Sequence, residues 1–234
     1  MARDLVLYGE PTLERALRSV GQLWRARSGI RVNVFVAPSD LSFAQIERGA
    51  RCDVIVALAG AVTEDAARRK TIDAGTVRRV LRNGLALVGS EPGAGPAADA
   101  TAADFSRLIA GKTLAIANPE RDVAGAYAVE MLRKVGVTVG DGNKGVLVAE
   151  SSAGVVSLLA ANRARLGIVY ATDAAGPPGF TLNLALAGLG HPPIEYVAAV
   201  ANDPQSDTRP FMAFMTSPNA KATFTSAGLQ TIEQ

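Results

Sequence analysis

Strand-length apolar runs alternate with helical periodicities along nearly the whole 234-residue chain, and that alternation limits the possible folds more than any other feature. Residues 5–8 (Leu-Val-Leu-Tyr) are the first run. Leu13, Ala16, Leu17, Val20 and Trp24 then recur at the spacing of one helix face, and Gly29 follows as a C-terminal cap. Strands are predicted at 30–36, 53–58 and 85–89, with a short helix at 43–48 closed by Gly49. Residues 91–99 (Glu-Pro-Gly-Ala-Gly-Pro-Ala-Ala-Asp) read as a loop. The alternation then restarts with helix 102–109, strand 113–117, helix 123–135, strand 146–148, helix 153–162 and strand 166–170. A strand at 195–201 and helices at 210–215 and 220–227 close the chain. The pattern predicts an α/β fold with largely parallel strands in two lobes, residues 1–84 plus 200–234 forming lobe 1 and residues 85–199 lobe 2.

Composition narrows the functional classes. Hydrophobic residues make up 48 % and charged residues 20 %, which suits a packed core and excludes a disordered chain. Lys plus Arg number 24 against 22 for Asp plus Glu, and the basic residues are scattered, so nucleic acid is not an expected partner. The single cysteine, Cys52, excludes an intramolecular disulfide and reads as a small buried hydrophobe. With His191 the single histidine, a Cys/His metal site is not expected. His191 itself, before Pro192-Pro193, reads as a surface-loop residue. Gly93-x-Gly95-x-x-Ala98 matches a dinucleotide fingerprint only as a string, because Pro96 breaks the strand-turn-helix context it needs. No nucleophile–base pair stands at a recognisable spacing, so an enzyme is not expected.

Four strand-to-helix junctions are more informative: 9–12 (Gly-Glu-Pro-Thr), 38–40 (Pro-Ser-Asp), 122–125 (Asp-Val-Ala-Gly) and 151–154 (Ser-Ser-Ala-Gly). A helix start carries free N–H groups and partial positive charge, which suit an anion. Ordinary capping by Thr, Ser or Asp explains any one of them.

Three strings carry a resemblance that runs from end to end. They are residues 45–54 (Gln-Ile-Glu-Arg-Gly-Ala-Arg-Cys-Asp-Val), residues 118–128 with Asn118-Pro119-Glu120 and Ala124-Gly125-Ala126-Tyr127-Ala128, and residues 166–174 (Leu-Gly-Ile-Val-Tyr-Ala-Thr-Asp-Ala). In these the chain resembles the periplasmic molybdate-binding proteins of ABC transporters. The resemblance implies a two-lobed solute-binding fold with molybdate or tungstate in the interlobe cleft, held by hydroxyls and backbone N–H groups. It places the ligand donors at Thr12, Ser39, Ala124, Ser152 and Tyr170, the last with its phenol directed at the ligand. It implies no cofactor, a permease in the inner membrane as partner, a monomer, and a periplasmic location, although no export signal precedes the strand-like run at Leu5. Neutral donors at helix starts suit a desolvated dianion that carries no proton.

Glu10, Pro11, Asp40, Ser151 and Ser152 depart from the family pattern. A carboxylate about 4 Å from a bound oxyanion would repel it by roughly 1–4 kcal/mol. Two readings of Glu10 and Asp40 stand open. Either they cap helices and point away from the ligand, or they retune the pocket to another small anion, such as an organic carboxylate or a phosphorylated metabolite. Pro11 suits a first helical position, which makes Glu10 the expected cap of the helix beginning there.

Overall fold

The computed structural model describes residues 3–68, 71–89, 101–139, 145–176, 180–186, 189–202 and 204–233. The loop predicted at 91–99, with its Gly93-x-Gly95-x-x-Ala98 string, lies outside the described residues.

Two compact units are present, Met1–Arg82 with Ile194–Gln234, and Asn83–Pro193. The first holds a six-stranded sheet. Its strands are β1 (Leu5–Gly9), β2 (Val32–Val36), β3 (Val54–Leu58), β4 (Ile72–Asn83), β10 (Ile194–Ala201) and β11 (Gln230–Thr231), in the order β11-β4-β10-β3-β1-β2. β1 runs parallel to β2 and β3, whereas β10 is antiparallel to β3 and β11 to β4. The sheet is therefore mixed. The crossings fall at 82/83 and 193/194 where 84/85 and 199/200 are expected, and β10, paired with β3 from Tyr196 to Val200, lies wholly in the first unit.

The helix predicted from the 13-16-17-20-24 periodicity is α1 (Glu14–Ser28), with Ala16, Leu17, Val20, Gly21 and Trp24 buried. Gly29 ends it at φ 76°, a left-handed conformation that costs glycine little, and donates its N–H to the Arg25 carbonyl at 2.8 Å. Trp24 packs on Phe211 and Phe214 of α8 (Thr208–Met215), with centroids 5.6 and 5.3 Å away. α9 (Pro218–Ser226) follows. α2 (Ser39–Glu47) starts four residues before the helix predicted at Phe43. Its first turn gives no periodic signal, since Leu41 faces outward at 53 % exposure. α3 (Ala59–Arg68) and β4 were not anticipated. β4 has no two-residue alternation in burial across its middle, and only Ile72, Val80, Leu81 and Asn83 are buried in it. Arg79 and Arg82 of β4 both reach Glu195 of β10, at 3.0 and 2.8 Å.

Asp53 is 1 % exposed and anchors three segments of this unit. Its carboxylate accepts the Val6 N–H at 2.7 Å, an Arg51 guanidinium N–H at 3.0 Å and the Gln205 amide at 3.1 Å. Next to it, burial and the neighbouring Asp53 charge push the Cys52 thiol up to about 12, so it behaves as the expected buried hydrophobe.

The second unit carries a five-stranded sheet of β5 (Leu85–Gly89), β6 (Leu114–Ala117), β7 (Val146–Ala149), β8 (Leu166–Tyr170) and β9 (Thr181–Ala185), in the order β7-β6-β8-β5-β9. β6 is parallel to β7 and β8, and β5 is antiparallel to β8 and β9. Helices α4 (Ala102–Ile109), α5 (Val123–Lys134), α6 (Ser152–Ala160) and α7 (Ala171–Ala174) accompany it. β9 was not anticipated. His191 lies in this unit, stacked on Tyr127 at 5.5 Å. Among the described residues no helix is long and apolar enough to cross a membrane.

Candidate functional site

The residues singled out by sequence fall into two clusters, one on each unit. On the first unit, β1 ends at Gly9 and delivers Glu10 to the position before a 3-10 turn, Pro11–Leu13. Pro11 does take the first helical position, but the Glu10 side chain makes no capping bond to that turn. It reaches Ser39 instead. Glu10 Oε1 accepts the Ser39 N–H at 2.8 Å and a short hydrogen bond donated by the Ser39 hydroxyl. Ser39 Oγ in turn accepts the Leu58 N–H at 3.0 Å, so this one side chain joins the start of α2 to the end of β3. Glu10 is 8 % and Ser39 4 % exposed. The expectation that Glu10 caps its own helix is therefore corrected: its carboxylate closes the N-terminus of α2, where an anion is favoured by the helix dipole. Pro38, at the cap position of α2, supplies no side-chain acceptor, so the acceptor comes from the distant Glu10. Thr12 lies two residues after Glu10 in the 3-10 turn, with Oγ1 3.0 Å from the Tyr196 hydroxyl of β10. Asp40 is exposed in the first turn of α2.

On the second unit the geometry is tighter. Asp122 is the N-cap of α5, and its Oδ1 accepts the Ala124 N–H at 2.9 Å. The Tyr170 hydroxyl donates to the same oxygen at 2.9 Å. The other oxygen, Oδ2, accepts the Ser152 N–H at 2.9 Å from the start of α6. Ala124 N also lies 3.3 Å from the Tyr170 hydroxyl oxygen. Tyr170 was expected to direct its phenol at a ligand, and here it donates to Asp122. Ala124, Ser152 and Tyr170 are all buried. Ser151 caps α6 by accepting the Gly154 N–H at 3.3 Å, and the Ser152 hydroxyl donates to Asp173 of α7 at 2.5 Å.

Gly125 explains how Ala124 reaches that position. A Cβ at Gly125 would stand 2.3 Å from the Ala117 carbonyl oxygen and 2.7 Å from its carbon, so α5 touches the end of β6 at a distance no side chain permits. The Ala-Gly pair of the 118–128 string is thus a backbone N–H followed by the residue that allows its approach.

The structure brings Ala124, Ser152 and Tyr170 onto one carboxylate, and Ser39 onto another. Asp122 was visible at a junction but read as an ordinary cap, which it also is. Its second and third partners come from residues 30 and 48 positions away, and no local pattern reports such contacts. Asp173 sat inside the 166–174 string without an assigned role. The carboxylates of Asp122 and Glu10 are the acceptors that these donors hold. Each hydrogen bond to a charged group contributes about 1.5–3 kcal/mol.

Comparison with known proteins gives a consistent picture. The profile of the family described as bacterial extracellular solute-binding protein matches residues 5–230. The molybdate-binding protein ModA of Escherichia coli K12 is 29 % identical over 224 residues, covering 94 % of this chain and 86 % of that protein. The periplasmic molybdate-binding protein of Azotobacter vinelandii superposes with a TM-score of 0.73 at 18 % identity, covering 99 % of this chain and all of that one. The tungstate-binding protein TupA of Desulfovibrio alaskensis superposes at 0.67 with 12 % identity, covering 100 % of both chains.

Proposed function

We propose that this chain, which belongs to the bacterial extracellular solute-binding proteins, is the periplasmic solute-binding component of an ABC importer and carries molybdate or tungstate. The observation that supports this reading is the trio of neutral donors, Ala124 N–H, Ser152 N–H and Tyr170 O–H, gathered on the two oxygens of a single anion. Such donors can hold a desolvated oxyanion without a counter-charge. In this proposal Thr12 and Ser39 add hydroxyl and backbone donors from the first unit. The partner is a permease of the inner membrane, and the protein acts as a monomer with no cofactor, no catalysis and no nucleic acid.

Titration calorimetry with molybdate, tungstate, sulfate and phosphate tests the reading. Molybdate and tungstate are expected to bind in preference to the other two, and at one hundred times Kd the ligand should raise unfolding stability by about 2.7 kcal/mol. Tyr170→Phe should weaken binding by about 1–3 kcal/mol, the range for removing a hydrogen-bond partner of a charged group. Heat from none of the four anions would refute it. One observation favours a second reading, a small organic carboxylate as ligand: the anion these donors hold in the chain is itself a carboxylate.

A further inference from the structure

We infer that Asp122 is an internal competitor for the anion site, a specificity-determining residue that any ligand must displace. The inference rests on the oxyanion-binding reading above. The backbone N–H groups of Ala124 and Ser152 carry one hydrogen each, and so does the Tyr170 hydroxyl. All three reach Asp122, at 2.9 Å in every case, and the Ala124 N–H is shared at 3.3 Å with the Tyr170 oxygen, which itself donates to Asp122. An anion can receive these hydrogens only when the Asp122 carboxylate gives them up.

Two consequences follow from the chemistry of that exchange. An incoming monocarboxylate swaps one singly charged acceptor for another of the same kind and gains little. A tetrahedral dianion brings more charge to the same donors and gains more from the start of α5, where the helix dipole favours negative charge. Asp122 thus sets a threshold that favours multiply charged anions over monocarboxylates. It also holds affinity for every anion below what the three donors would support without it, since a displaced carboxylate remains close to the ligand and repels it. The Glu10 carboxylate repeats the arrangement on the Ser39 N–H and hydroxyl of the other unit.

The test is titration of the full chain with molybdate and with acetate, in the parent, Asp122→Asn and Asp104→Asn. Asparagine retains an oxygen for the Ala124 N–H but turns an N–H₂ toward Ser152, so it releases the Ser152 donor and removes the charge. Asp104 sits in the exposed capping box of α4, and its change controls for net charge alone. Asp122→Asn is expected to tighten molybdate binding about tenfold or more and to narrow the preference for molybdate over acetate, as removal of a like charge beside a bound anion predicts. Asp104→Asn should leave both unchanged. Asp122→Ser, which keeps a capping oxygen, replaces the first variant if that one fails to fold, with the same expectation. Molybdate binding that is equal or weaker in the Asp122 variants overturns the inference while leaving the oxyanion reading intact. No molybdate binding by the parent or by any variant overturns the reading itself, and the inference with it.

Discussion

Gly125→Ala is the substitution whose consequence the structure fixes most closely. An added Cβ would lie 2.3 Å from the Ala117 oxygen, 2.7 Å from the Ala117 carbon and 2.8 Å from the Asn118 carbon, and all three are backbone atoms. No rotamer can relieve the contact, so the start of α5 must retreat by about 1 Å to reach an ordinary van der Waals distance. Overpacking of this kind costs about 1–3 kcal/mol, against which alanine in a helix returns about 1 kcal/mol relative to glycine. The net expectation is a loss of up to about 2 kcal/mol, or a fall in Tm of up to about 8 °C for a chain of this size. The retreat also moves the Ala124 N–H away from the Ser152 N–H and the Tyr170 hydroxyl, so the three donors converge less well and anion binding should weaken along with stability. Gly60→Ala is the control, since it is helical in α3 with nothing within 4 Å of the new Cβ. It should be neutral or stabilise by up to about 1 kcal/mol. Calorimetric melting of the two variants beside the parent reads both signs. A Gly125→Ala protein that gains the stability an unhindered helical Gly→Ala gains would refute the steric account of why glycine stands there.

Asp53→Ala should destabilise by about 3 kcal/mol in urea unfolding, because Val6, Arg51 and Gln205 lose one shared buried acceptor. The Cys52 thiol, raised to about 12 by burial, should resist maleimide at pH 8 in the folded chain and react once urea exposes it; fast labelling of native protein would contradict the packing. The carboxyl of Asp104 is held below its usual value of 3.8, first by the Thr101 hydroxyl and then by the Thr101 N–H. A depressed carboxyl stabilises above its unfolded pKa and loses that contribution as pH falls through the folded value. The Tm difference between parent and Thr101→Ala should therefore be full at neutral pH and shrink below about pH 4; a difference independent of pH would remove the charge from the cap.

Local periodicity made α1, α4, β5 and β8 legible, because each buries one regular face or a continuous apolar run. It failed where burial is irregular, as in β4, and where a helix starts on an outward residue, as α2 does beside Leu41. The junctions holding 39, 124 and 152 were legible as helix starts, but which residue in each donates, and the part of Tyr170, came only through resemblance, since a backbone N–H has no side-chain signature. What they hold was not legible at all. Glu10 and Asp122 looked like local caps, and their contacts to Ser39, Ser152 and Tyr170 span 29, 30 and 48 residues. Sequence proximity carries no information about such pairs.

The strand order of the six-stranded sheet sets a timetable for synthesis. β10 lies between β3 and β4, yet more than a hundred residues separate it from either in the chain. When the ribosome has made β4, the first unit still lacks an inner strand, and it must wait through all of residues 83–193 with the facing edges of β3 and β4 unpaired. The contiguous unit emerges complete within that interval and can fold first, as a nascent insert inside an unfinished neighbour. Trp24 is the single tryptophan of the chain, and its ring is covered by Phe211 and Phe214, which are translated after β10. Its fluorescence should accordingly change when the C-terminal helices arrive and cover it, which makes it a reporter of the last stage of folding.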